Sequence, residues 1–280
     1  ISVDHRENLI YWHMAHSFVR GNWRNLEQSA PMILAKCCHD LDILYWILRQ
    51  PVVWLNSFGS LTWFKPENAP EGATLRCTDG CPAAETCKYY APRIYLNPEH
   101  DFARRAASFD LSDAGIMEAL RTGWYGRCVY HCDNDVVDHQ TINMELADGM
   151  TVTMTMQGQG NFEGRTMRYD GTDATLYGKF CDGDNRITIH DHLTGKVEHV
   201  PVIDRDASGH GGGDFGIMRS FLNNVHGIPD DSVTTARESL ESHLLAFASE
   251  EARLNHGTVQ MADYRDRVEK EARAIYSQSR

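Results

Sequence analysis

The sequence predicts an α+β protein, with an open, mostly antiparallel sheet and helices packed on one of its faces. Three observations predict it. Apolar residues recur at helical spacing from Met32 to Leu48. From Val136 onward the chain breaks into short strand-like runs separated by Asp-Gly, Gly-Thr and Thr-Gly turns. After the glycine cluster Gly209–Gly213 it returns to helical patterns. Strands in one block and helices in others is the α+β order, not the strict βαβ alternation of a parallel sheet.

Residues 1–12 alternate as a strand ending in Ile10-Tyr11-Trp12. The stretch 13–28 is mixed and polar and reads as irregular, with Gly21-Asn22 as a turn. Pro31 suits the first turn of a helix, and the apolar run behind it stops before Pro51 because the residue preceding proline avoids helical angles. Val52–Phe64 reads as a second strand. Residues 65–108 read as a Cys/Pro-rich insertion holding five of the nine prolines, with no sustained periodicity and too few apolar residues for a core of its own. Ser112 is placed to cap a helix through Leu120. Val136–Ala147 and Met150–Gln157 flank Asp148-Gly149, a strong hairpin signal. Strands follow at Thr166–Tyr169, Ala174–Phe180, Arg186–His190 and Lys196–Val202, then helices at Asp214–His226, Ser232–Asn255 and a charged one at the end.

A net charge of −12 argues against nucleic-acid or anionic-membrane partners, which demand a basic surface. No apolar run reaches the roughly 20 residues of a bilayer span, and no signal peptide opens the chain, so a soluble cytoplasmic protein is expected. Ile1 stands where a strand is already under way, as in the C-terminal part of a longer chain. A sheet covered on one face leaves the other bare, and a homo-oligomer through that face is expected.

There is no phosphate loop, no His-Glu-x-x-His and no nucleophile elbow. The nearest glycine fingerprint, Gly209-His210-Gly211-Gly212-Gly213-Asp214, carries an acid where a third glycine belongs. The most informative segment is Lys36-Cys37-Cys38-His39-Asp40-Leu41-Asp42. In one continuous helix Lys36, His39 and Asp40 share a face. Ionisable groups in an otherwise apolar helix are costly unless paired, and such clusters tune acid–base groups. Either they serve catalysis, or they form a salt-bridged patch that locks the helix in place. His16, Arg20, Asn22 and Trp23 offer donors and an aromatic face to a polyol, unless the loop simply packs Trp23 inward. Asp138-His139 reads as burial or pairing ahead of catalysis. Cys77, Cys81 and Cys87, with Cys128 in preference to Cys132 as fourth ligand, suit a structural Zn²⁺; the alternatives are free thiols or a Cys77–Cys87 disulfide. Cys37, Cys38 and Cys181 read as buried core residues.

Two stretches, His16-Ser17-Phe18-Val19-Arg20-Gly21-Asn22-Trp23-Arg24 and Leu34-Ala35-Lys36-Cys37-Cys38-His39-Asp40-Leu41-Asp42, resemble the C-terminal domain of Gfo/Idh/MocA oxidoreductases. Tyr169–Leu176, Gly209–Asp214 and Ser239–Arg253 fit in the same order. The resemblance implies that residues 1–280 form a substrate-binding and oligomerisation domain, and that a missing N-terminal Rossmann domain binds NAD or NADP. It implies hydride transfer at a sugar or cyclitol hydroxyl, with His39 matching the family's acid/base histidine. The family's aspartate four residues earlier is Ala35 here, and Lys36 is its natural substitute. His16, Arg20, Trp23, Asp40, His210 and Asp214 become substrate-binding candidates. The lysine of the family's Glu-Lys-Pro motif has no counterpart, so the chain alone is expected to be inactive. Alternatives on the same fold are a non-catalytic oligomerisation or carbohydrate-binding module and an NAD-dependent glycosidase-like enzyme.

Overall fold

The computed structural model describes residues 1–181, 184–202, 212–230, 232 and 234–278. Among these described residues nine strands form one sheet: β1 (Ser2–Ile10), β2 (Val52–Ser60), β3 (His139–Leu146), β4 (Thr151–Gly160), β5 (Gly164–Asp170), β6 (Ala174–Cys181), β7 (Arg186–Asp191), β8 (Val197–Val200) and β9 (Thr258–Gln260). Their order is β8-β7-β6-β5-β1-β4-β3-β2-β9. Every neighbouring pair is antiparallel except β1 with β4. The predicted fold class is the one observed.

Because strand neighbours point to opposite faces, β1 buries Val3, His5, Glu7 and Leu9 and leaves Asp4 and Arg6 exposed. The buried face meets α3 (Cys38–Leu48) and α8 (Ala236–Asn255) over a core that includes Leu41, Leu44, Ile142, Met154, Met156 and Leu245. Among the described residues nothing covers the other, polar face, where Asp4, Arg6, Arg168, Tyr177, Lys179 and Arg186 line a shallow depression of about 570 Å³. Hairpin chemistry holds where it was expected: Gly149 takes φ +84 and donates to the Leu146 carbonyl. Ser112 caps α6 (Asp113–Thr122) through the Gly115 amide. Thr235 and Glu238 cap α8 reciprocally, which moves its start from Ser232 to Ala236.

Three expectations are corrected. The stretch after β1 is helical, α1 (Tyr11–Met14) running on into π-helical turns at Ala15–Arg20. Met14, Ala15, Phe18 and Val19 are buried at helical spacing, which the interleaved His13, His16 and Ser17 obscure in the sequence. The turn ends at Gly21, where a Cβ would lie 2.6 Å from the His16 carbonyl oxygen. The helix from residue 31 is two pieces, α2 (Met32–Ala35) and α3, broken at Lys36 and Cys37. The insertion does have a core: Cys77, Ala91, Ile94, Tyr95 and Ala103 pack with Ile116 and Leu120. The last two come from α6, outside the 65–108 boundary, which is why the insertion alone looked too polar. Its own helices are α4 (Ala91–Tyr95) and α5 (Asp101–Ala107).

Beyond the sheet, α7 (Gly213–Val225) leaves Phe215, Ile217, Met218, Phe221 and Leu222 exposed. The C-terminal α9 (Met261–Gln278) buries only Met261 and Tyr264. No described helix is long and apolar enough to cross a membrane.

Candidate active site at the helix break

The break between α2 and α3 sits against β1, β5 and the turn before β5. Antiparallel register sets Glu7 directly opposite Arg165, and both point toward α3. Asp40, fully buried, accepts from His5 Nε2 at 2.7 Å and from Arg165 Nε at 2.7 Å and Nη2 at 3.2 Å. Arg165 also reaches Glu7 at 3.3 Å. Lys36 Nζ lies 3.2 Å from Glu7 Oε1 and 2.8 Å from Glu163 Oε1. Glu163 is held in turn by the Ile10 amide at 3.0 Å and by His13 at 3.2 Å. One ionic network therefore joins five segments of the chain.

Its electrostatics set two carboxylates apart. Burial, reinforced by the Asp40 charge, pushes Glu7 up to about 7 against the pull of Lys36 and Arg165. Burial also pushes Glu163 upward, but the His13 hydrogen bond and the His13 and Lys36 charges outweigh it and bring that carboxyl down to about 2. Asp40 is likewise pushed up by burial, yet its bonds to His5 and Arg165 leave it below the usual carboxylate range. Lys36 resists burial through Glu7 and Glu163 and stays above its ordinary value. The network so holds an ammonium firmly charged beside one carboxyl that titrates near neutrality.

The residues singled out by sequence divide sharply. Lys36 and Asp40 enter this network, whereas His39 is exposed and, among the described residues, hydrogen-bonds its neighbour's thiol, Cys38 Sγ, at 3.5 Å. That contact raises the His39 pKa and lowers that of Cys38. Asp40 is not presented for substrate contact, since its oxygens are taken by His5 and Arg165. His16 and Arg20 do not lie on an open loop. His16 bonds the Tyr95 hydroxyl at 2.8 Å and stacks on Tyr125, and burial drives its pKa down to about 3. Arg20 is fully buried beneath the insertion. Helix formation after β1 turns both side chains inward, which corrects the expectation of an open loop. Trp23 remains half-exposed beside Phe18. His210 lies outside the described residues, and Asp214 stands exposed in the first turn of α7. Asp138 is buried and accepts from Thr62, Trp63 and His139, the pairing its sequence context suggested. Cys37 is fully buried, while Cys38 and Cys181 are half-buried. Cys77, Cys81, Cys87 and Cys128 line one small cavity. Sequence reasoning missed Glu7, Arg165 and Glu163. The signal for the first was there: His5 and Glu7 share a strand face with Val3 and Leu9, so two ionisable groups had to meet the helix layer.

No family model matches the chain. Over 230 residues, 76% of its length, the chain is 23% identical to YteT of Bacillus subtilis (strain 168), an oxidoreductase by name. Solved structures superpose over nearly the whole chain. A Desulfitobacterium hafniense protein described as an NADPH-dependent oxidoreductase matches 94% of it at 12% identity and a TM-score of 0.55. Levoglucosan dehydrogenase in complex with NADH and levoglucosan matches 93% at 12% identity and a TM-score of 0.57. The chain shares its fold with these structures, the likeness that the Gfo/Idh/MocA resemblance implied. The same fold serves Gal80p of Saccharomyces cerevisiae, matched over 94% at 12% identity and a TM-score of 0.55. The chain spans just over half of each: 51% of YteT and 57–58% of the three structures.

Proposed function

We propose that the chain is the substrate-handling half of an NAD(P)-dependent oxidoreductase that acts on a sugar or cyclitol hydroxyl. The observation that carries this reading is the Lys36 ammonium. It is 19% exposed at its side chain, bonded to Glu7 and Glu163, and seated at the edge of the helix break. An ammonium has three donors; two serve the carboxylates, and the third is available to a substrate oxygen. Held charged, Lys36 polarises that oxygen and stabilises the alkoxide character that develops as a C–H hydride leaves. His39, raised above its ordinary value, takes or returns the hydroxyl proton. Glu7, near 7, adjusts the charge of the network as that proton moves.

Among the described residues no βαβ unit with a glycine-rich turn is found, since the sole parallel pair, β1 with β4, belongs to an otherwise antiparallel sheet. The described residues therefore do not fit the nucleotide, and in this reading a further domain of the full-length protein holds it. The length of the relatives and the exposed apolar side chains of α7 support such a domain. The bare sheet face supports association with a second copy, and a cytoplasmic setting remains part of the same reading. The rest of the reaction belongs to the nicotinamide, which supplies hydride chemistry when bound.

A second reading, a non-catalytic module, is favoured by the internal pairing of Lys36 and Asp40. It is also favoured by a counterpart of the fold in Kluyveromyces lactis Gal80p, described as a transcriptional regulator (TM-score 0.57, 13% identity). Full-length protein incubated with NAD⁺ or NADP⁺ and a panel of sugars and cyclitols separates the two. Reduced nicotinamide forming with at least one polyol supports the enzyme, and none forming with any, in either direction, supports the module.

A further inference from the structure

The insertion gathers its cysteines around a buried cation. The bridge between Arg76 and Arg127 forms a short antiparallel ladder in which Cys77 N–H donates to the Gly126 carbonyl and Cys128 N–H to that of Leu75. Residues 75 and 77 then share a face with 126 and 128, so Cys77 and Cys128 stand diagonally on one side. Gly80, at φ +75, turns the chain so that Cys81 comes back toward the same point. The Cys87 amide bonds the Ala83 carbonyl and closes the next turn. Four thiols separated by up to 51 positions thus line one cavity of about 10 Å³, room for a single water-sized sphere. Cys132 does not line it; its thiol turns to the Cys128 carbonyl at 3.2 Å.

Arg20 lies in the same wall. Its guanidinium is always charged and is fully buried, and no described carboxylate pairs with it. Nε donates to the Arg127 carbonyl and Nη2 to that of Tyr89, each at 2.7 Å. Nη2 also approaches Cys77 Sγ at 3.7 Å, and Nη1, on a guanidinium that neighbours the Tyr95 hydroxyl, makes no hydrogen bond of good geometry to a described residue. A buried cation without a counter-ion costs several kcal/mol. Neutral thiols do not offset it, whereas thiolates do.

We propose that Cys77, Cys81, Cys87 and Cys128 bind one Zn²⁺ ion as thiolates, with the guanidinium of Arg20 neutralising part of the resulting charge. Four thiols release four protons to solvent as the ion binds, and the Zn(S-Cys)₄ unit carries −2. Arg20 offsets one of those charges and gains an anionic neighbour for its open Nη1. The thiols are unbridged, and among the described residues no three metal-ligating groups already stand at coordination distance. Binding therefore requires the four side chains that line the cavity to turn onto one ion. The small cavity suits a single ion better than an iron–sulfur cluster. The site is structural: it ties the turns at residues 77–87 to the strand at 128, and it is independent of the redox reading above.

The test is elemental analysis of the full chain, purified under reducing conditions, with Zn²⁺ titrated into the chelator-treated protein. One zinc per chain is expected, retained in Cys132→Ser and lost in Cys77→Ser and in Cys81→Ser, whose thiol is only half-buried. Replacement by Co²⁺ is expected to give the visible bands of a tetrahedral thiolate site, a readout that stands even if the Cys77 variant fails to fold. The proposal is overturned by folded protein that neither contains nor takes up zinc. It is equally overturned by iron with acid-labile sulfide in place of zinc, by disulfides among these four cysteines in the native chain, or by zinc that survives both Cys→Ser changes.

Discussion

Glu7→Gln isolates the charge balance of the site. Glu7 is 1% exposed and titrates near 7 where an ordinary glutamate titrates near 4.5. At roughly 1.4 kcal/mol per pH unit, the folded protein prefers the protonated carboxyl by about 3 kcal/mol relative to the unfolded chain. The stability tied to that proton is complete below pH 4.5 and is lost as pH rises through 7. Glutamine imitates the protonated side chain at every pH. The variant is therefore expected to match the parent near pH 4.5 and to exceed it by about 3 kcal/mol at pH 8.5, an upper figure because Lys36 and Arg165 relax when the charge is absent. Urea unfolding of both proteins at half-unit steps from pH 4.5 to 8.5, read by tryptophan fluorescence, gives the difference directly. A Gln variant clearly less stable than the parent at pH 8.5 would refute the reasoning, because ionised Glu7 would then anchor the two cations rather than burden the fold.

Asp40→Asn removes the carboxylate shared by His5 and Arg165 and is expected to cost about 3 kcal/mol, the usual effect of stranding a buried partner; a loss under about 1 kcal/mol in the same urea assay would contradict it. The parent should also weaken in acid, because Asp40 and Glu163 contribute stability above their ordinary range that is lost as pH falls through their lowered values. A fluorescence-monitored midpoint that rises steadily from pH 4 to pH 2 would contradict that. Gly126→Ala sets a methyl onto the Leu120 carbonyl oxygen and is expected to destabilise the insertion lobe by about 2 kcal/mol, seen as faster proteolytic nicking within residues 65–126; unchanged nicking would contradict it.

Much of this was legible because it is local. The Asp148-Gly149 hairpin, the Ser112 cap and the strands after Ala174 each follow from a few adjacent residues whose backbone preferences dominate. The polar segment Lys36–Asp42 was recognisable for a similar reason, since Lys, His and two Asp interrupt an apolar run. Glu7 left a signal in the strand alternation of β1, but Arg165 did not, because it lies far along the chain and the β1–β5 register alone brings it beside Glu7. The helical turns at Tyr11–Arg20 were hidden by polar residues that tertiary packing nonetheless buries. This packing, not the residue types, decides that His16 and Arg20 point inward. Helix continuity through Lys36 failed in a related way: backbone propensity favours one helix, but the observed break seats Lys36 and Asp40 on either side of Glu7 and Arg165.

Lys36→Met tests the central claim most directly. It keeps the length of the side chain and removes the ammonium. If Lys36 bonds the reacting oxygen, the full-length variant should bind nicotinamide nucleotide as the parent does while kcat for polyol oxidation falls by about 100-fold or more. A variant that oxidises the polyol at the parent's rate would contradict the account and leave Lys36 as a strut between Glu7 and Glu163.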